Sequence, residues 1–354
     1  MLKLGTLALL ALPLSLAAQE PYGNVPPQGS ARIGFAADFP PLVDHEWGFA
    51  LGGFGGTVAG DRPGHVPVIF VHGNQVDACD WYPVRDAFRA AGWSDQALWG
   101  LSYNGLGNNN GAALLTPNPD CQAEHAELGN DGQSRITSND VNVPDLYDFV
   151  LAVRAYTGSA RFSLVGHSLG VTVARKMLKV YPELRADLVA FVSIAGANHG
   201  TSFCPPGSEG SVNGCDEIAA NTDWLAELNG LEGSDETYPP ARWMSLYDGS
   251  GAGDPAFAGS YAQSPALAGA DNREFPGTYH NDLRLDPAIV TIYREFLEEA
   301  GRAIEPPQQR GGGEPAGALL LGLLAVLACR RRPARHELIS CRAGPGGAST
   351  RRPQ

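Results

Sequence analysis

No Cys-x-x-Cys pair and no cysteine–histidine cluster at zinc spacing occurs in the 354 residues, which excludes a structural zinc site of the finger or ribbon kind. Basic charge is scarce. The formal net charge is −13, and residues 330–354 hold seven arginines against Glu337 alone. Setting aside that tail and Lys3 leaves 17 basic residues against 37 acidic ones, a net charge near −20. A body this acidic repels phosphate backbones and anionic headgroups, so nucleic acid is not an expected partner. No internal repeat is present, which argues against solenoids and propellers. Nor is there an apolar run of the roughly 20 residues that a comfortable membrane span needs.

The two longest apolar stretches lie at the ends. In residues 1–18, Lys3 precedes an apolar run from Leu4 to Leu16 and the small residues Ala17 and Ala18. That is the order of a secretory signal peptide, and Pro13 would interrupt a buried helix there. Export to the medium or the cell surface is therefore expected. A linker at 306–315 leads to the apolar Ala316 to Cys329 and to Arg330, Arg331 and Arg332. Residues 316–332 resemble the C-terminal sorting or anchor tails of exported bacterial proteins, with the arginines held on the cytoplasmic side. Residues 333–354 read as a disordered basic tail. Four cysteines lie in the body, an even number that suggests two disulfides in an exported chain. Cys204 and Cys215 share one Pro/Gly/Ser-rich loop and are the natural pair, which leaves Cys79 with Cys121.

Residues 19–60 are rich in Pro and Gly and read as an extended N-terminal segment. From there to residue 305 short apolar runs alternate with helical patterns. Val66 to Val71, Ala97 to Tyr103, Phe162 to Val165, Leu188 to Ile194, Arg242 to Tyr247 and Arg273 to Tyr279 are the expected strands. Helices are expected from Asp80 to Ala91, from Val143 to Tyr156, after Ser168 to Val180, and from Asp286 to Arg302. Continuous apolar strands alternating with helices predict an α/β domain over 61–305, its mostly parallel sheet covered on both faces. Residues 197–241 break the alternation and occupy the place of a lid-like insertion.

Gly166-His167-Ser168-Leu169-Gly170 is a G-x-S-x-G between a strand and a helix. A serine on so tight a turn needs small flanking residues, and the helix that follows aims its first N–H groups at it. Ser168 is thus the candidate nucleophile. His72-Gly73-Asn74 ends the strand VPVIFV, and the backbone N–H of Asn74 could pair with that of Leu169 as an oxyanion hole. The simpler alternative is that Gly73 only makes a sharp turn. Chain order in this kind of site runs Ser, acid, His. His199 follows its strand too closely to leave room for an acid and is expected to shape the wall beside the site. His280, before the last helix, is the candidate base. The acid is Asp254 or Asp248, with Asp271 nearer the histidine, and Asp254 in the loop fits best.

Three stretches, PVIFVHGN (67–74), LVGHSLG (164–170) and WLAELNG…DET…RWMSLY (224–247), resemble the bacterial secreted lipases and esterases of the α/β-hydrolase superfamily, the small class 2 type. GGFGG before VPVIFVHGN is also similar to an extracellular polyhydroxybutyrate depolymerase of that fold. The resemblance covers about Leu51 to Arg302. It implies an α/β-hydrolase fold, a Ser-His-Asp triad with Asp254 as the acid, an ester or lipid substrate, no metal or organic cofactor, and a monomer. A polyester depolymerase is the nearest alternative. Amide cleavage or acyl transfer at the same site, and a non-catalytic surface-binding module, are further ones. The insertion around 104–140 departs from the smallest lipases, so substrate identity does not carry over.

Overall fold

The computed structural model describes residues 34–45, 51–56, 63–74, 76–103, 139–205 and 214–304. The expected signal peptide, the insertion carrying Cys121, the linker and the C-terminal tail lie outside the described residues.

Seven strands form one sheet: β1 (Gly52–Phe54), β2 (Val68–Val71), β3 (Leu98–Ser102), β4 (Phe162–His167), β5 (Leu188–Ile194), β6 (Arg242–Tyr247) and β7 (Asp271–Glu274). Their order is β1-β3-β2-β4-β5-β6-β7. Only β1 runs antiparallel, against β3. This is the mostly parallel, helix-covered sheet of the α/β-hydrolase fold.

The continuous apolar runs exist because both faces of the sheet are covered. Val68 and Phe70 of β2 join one core with Val84 and Phe88 of α1 (Tyr82–Ala90) and Ile289, Tyr293 and Phe296 of the last helix, Pro287–Ile304. The alternate residues Ile69 and Val71 face the other core. There they meet Leu146, Phe149 and Val153 of α2 (Asn139–Thr157) and Val173 and Met177 of α3 (Leu169–Val180). Each fully buried phenylalanine or leucine contributes about 2–3 kcal/mol.

Two strands differ from expectation. The GGFGG stretch supplies β1, an edge strand held by pairing with β3 and by Phe54, buried against Phe70, rather than by any apolar run. At the other edge β7 is Asp271–Glu274, not Arg273 to Tyr279. Its four residues are all exposed, so no apolar pattern marks it, and Pro276 cannot continue the ladder.

The sheet order also locates a crevice. From β2 the chain moves to β3 on one side, and from β4 it moves to β5 on the other. β2 and β4 therefore flank the switch point, where open α/β sheets bind ligands beyond the carboxyl ends of their strands. His72-Gly73-Asn74 and Ser168 stand at those two ends.

Candidate active site

Ser168 sits between β4 and α3 with φ 54° and ψ −128°, a left-handed conformation rare for a residue with a side chain. Such strain costs about 1–3 kcal/mol and persists only where its surroundings enforce it. Here they do. A Cβ at Gly170 would lie 2.3 Å from the carbonyl oxygen of His72 and 2.5 Å from that of Val71. One at Gly166 would lie 3.0 Å from Val171 Cα, and one at Gly73 3.0 Å from Ser168 Cβ. The glycines let β2, the elbow and α3 close on one another. The N–H of Ser168 donates to the Ile194 carbonyl at 2.9 Å, which ties the elbow to β5. The N–H groups of Asn74 and Leu169 have no protein acceptor among the described residues.

His280 lies in the loop between β7 and the short helix Asp282–Leu285, and its Nδ1 is 2.7 Å from Oδ2 of Asp254. Asp254 has no exposed surface, and its other oxygen accepts the Ala256 N–H at 2.8 Å. Ser168, His280, Gly73 and Asn74 line one cavity of about 290 Å³, with Phe203 and Tyr279 exposed on its rim. No hydrogen bond joins Ser168 to His280 among the described residues; catalytic bonds in unliganded sites are often long until substrate seats. A larger hollow of about 460 Å³, lined by Pro63, His65 and Arg161, opens at the opposite end of the strands and holds none of these groups.

Asp248 does not face the histidine. Its carboxylate accepts from Ser250 Oγ at 2.7 and 2.8 Å, from the N–H groups of Ala252 and Gly253 at 3.2 Å, and from the Gly277 N–H. Burial opposes its ionisation, yet these donors hold its pKa below the usual carboxylate range. It stitches the acid loop to the histidine loop, which meet so closely that a Cβ on Gly253 would lie 2.3 Å from the Gly277 carbonyl carbon. Asp271 is exposed and paired with Arg273 at 2.7 Å. His199 is turned away: Nδ1 lies 2.8 Å from the Ser264 carbonyl and Nε2 3.1 Å from Glu236, beside a separate hollow.

Other side chains support the site without a sequence signal of that role. His167 is fully buried, and its Nε2 lies 3.2 Å from the His280 carbonyl, the two rings 4.7 Å apart. Burial above all, then the neighbouring His280 and Arg284, keep its pKa well below the ordinary histidine value. Arg284, four residues past the base, is buried, pairs with Asp80 at 2.6 Å and stacks on Trp81. His72 is buried beneath the Asn74 turn, stacked at 3.9 Å on Tyr103, with Nδ1 2.9 Å from the Gly73 carbonyl. Desolvation lowers its pKa to about 4.

Cys204 and Cys215 form the expected disulfide, Cα–Cα 5.2 Å, at the edge of the insertion nearest Ser168. Cys79 is also disulfide-bonded; its expected partner, Cys121, lies outside the described residues. No group of three or more His, Cys, Asp or Glu among the described residues could hold a metal ion.

Residues 128–238 match the family model described as lipase (class 2). The match contains the Ser168 elbow and ends before Asp254 and His280. No curated protein matches the chain significantly. Among solved structures, a mature lipase of Bacillus licheniformis is 11% identical with a TM-score of 0.48, covering 70% of this chain and 98% of that one. Lipase B of Aspergillus fumigatus is 17% identical with a TM-score of 0.45, covering 69% and 58%. A carboxylesterase of Bacillus subtilis is 14% identical with a TM-score of 0.42, covering 74% and 91%. The sheet order and the elbow give the chain the α/β-hydrolase fold, and its residues 128–238 are similar to the class 2 lipases.

Proposed function

We propose that the chain is an exported enzyme that cleaves carboxylic esters by two-step acyl transfer. His280 takes the proton of Ser168 Oγ as that oxygen attacks the ester carbonyl. The N–H groups of Asn74 and Leu169 hold the oxyanion, and Asp254 fixes the imidazole tautomer and balances its charge when protonated. His280 then protonates the departing alcohol, and water repeats the attack on the acyl-enzyme. The observation that carries this reading is the fully buried Asp254 carboxylate 2.7 Å from His280 Nδ1, on a histidine that shares its cavity with a strained serine. Export is supported by residues 1–18 and by the Cys204–Cys215 disulfide, which suits an oxidising compartment.

A polyester substrate is the second reading. Phe203 and Tyr279, 64% and 53% exposed at the cavity rim, favour contact with an apolar surface. Turnover of p-nitrophenyl butyrate, emulsified triglyceride and polyhydroxybutyrate film by the purified chain tests both. Release of nitrophenol with an inert film supports an esterase; soluble product from the film at comparable rate supports the depolymerase; no turnover of any of the three contradicts the ester reading.

A further inference from the structure

A second, smaller hollow adjoins Ser168 and is not lined by the base. It measures about 100 Å³ and touches Asn74, Ser168 and Leu169, but not His280. Its walls are Ala197, Phe257, Ile218 and the Cys204–Cys215 disulfide. The polar group beside them, Thr201 Oγ1, is already committed to the Ala256 carbonyl at 2.6 Å. The surface presented there is apolar.

The division of the site around Ser168 has a chemical consequence. The departing alcohol oxygen must receive its proton from His280, so the alcohol half of the ester belongs in the 290 Å³ cavity that His280 lines. The carbonyl oxygen points to the Asn74 and Leu169 N–H groups. The remaining substituent of the carbonyl carbon, the acyl chain, is left with the hollow that contains those donors and lacks the base. That hollow is far below the roughly 300–1,000 Å³ of pockets for drug-sized ligands.

We propose that this hollow is the acyl-binding compartment, that it restricts the enzyme to esters of short acyl chains, and that the Cys204–Cys215 disulfide with Ile218 forms its end wall. The inference rests on the ester-hydrolase reading above. Phe203, adjacent to Cys204, lines both hollows and stands at the boundary between the acyl and alcohol sides.

The test is a series of p-nitrophenyl acetate, butyrate, hexanoate and octanoate, read as kcat/KM for the full chain and for Ile218→Ala and Ile218→Trp. The alcohol is constant, so only the acyl side varies. The wild type should prefer butyrate to octanoate by about tenfold or more, since each methylene that a pocket admits or rejects is worth at least about that factor. Ile218→Ala should narrow this ratio, and Ile218→Trp should move the optimum from butyrate to acetate. Should the tryptophan variant not fold, Ala197→Val narrows the same hollow from another wall and should have the same effect. Equal or better turnover of octanoate by the wild type, or a ratio unmoved by Ile218→Ala, overturns the compartment while leaving ester hydrolysis standing. Absence of turnover on every ester in the wild type overturns the ester reading and the compartment with it.

Discussion

His280 Nδ1 lies 2.7 Å from Oδ2 of Asp254, a carboxylate with no exposed surface, whereas Asp248 spends its hydrogen bonds on the loops that carry these two residues. The two aspartates are six positions apart and have different work. Asp254→Asn should reduce kcat by about 10⁴-fold, because the amide favours the wrong imidazole tautomer. Asp248→Asn should leave turnover within about tenfold of wild type and instead cost about 1–3 kcal/mol of stability, through weakened hydrogen bonds at a buried acceptor. Parallel kinetics and denaturant melts check the pair. A dead Asp248→Asn beside a near-normal Asp254→Asn would reverse the assignment.

Arg284, buried, and Asp80, partly buried, form an ion pair beside the base loop. Arg284→Met should destabilise the fold by about 3–5 kcal/mol, since it leaves a largely desolvated carboxylate alone. Asp80→Asn added to it should recover part of that loss. A double-mutant cycle by urea unfolding measures both; a single variant that unfolds at the wild-type midpoint would show that the pair carries no such energy.

His72 gives a pH dependence of known sign. Its folded pKa is about 4, against about 6.5 in the unfolded chain. Between these values the unfolded state binds a proton that the folded state does not, so stability falls as pH drops from about 6.5 towards 4, by about 3 kcal/mol in all. His72→Gln should lose this part of the slope. Urea midpoints of the two proteins at pH 7, 5.5 and 4.5 provide the check: parallel profiles would contradict a buried neutral histidine.

Removing the Cys204–Cys215 crosslink should act on the site as well as on the fold. The chain-entropy model gives about 2–3 kcal/mol for closing a loop of this length. Cys204→Ser with Cys215→Ser should therefore lower the thermal midpoint and, by loosening a wall beside Ser168, raise turnover of longer acyl esters relative to butyrate. Non-reducing peptide mapping establishes the wild-type bond. Free thiols at both positions would remove its basis.

Much of this site is legible in the chain because its residue types serve backbone geometry. Gly166, Ser168 and Gly170 stand between an apolar run and a helix, and the missing Cβ at Gly170 lets β2 and α3 approach closely. His280 follows from chain order and from its place before the last amphipathic helix. The separation of Asp254 from Asp248 depends on how the glycines between them fold, which no local pattern encodes. β7 escaped an exact placement because four exposed polar residues carry no periodicity. The roles of His167, Arg284 and His72 arise from contacts with segments up to 204 positions away in sequence, visible only once the sheet brings them together.

The nucleophile is the most direct test. The full chain should react with a fluorophosphonate probe at one site, and mass spectrometry of the digest should find the adduct on the peptide containing Ser168. Ser168→Ala should take up no probe and lose several orders of magnitude in ester turnover while keeping the wild-type circular dichroism. Labelling of the alanine variant at wild-type stoichiometry, or an adduct on another peptide, would contradict the account.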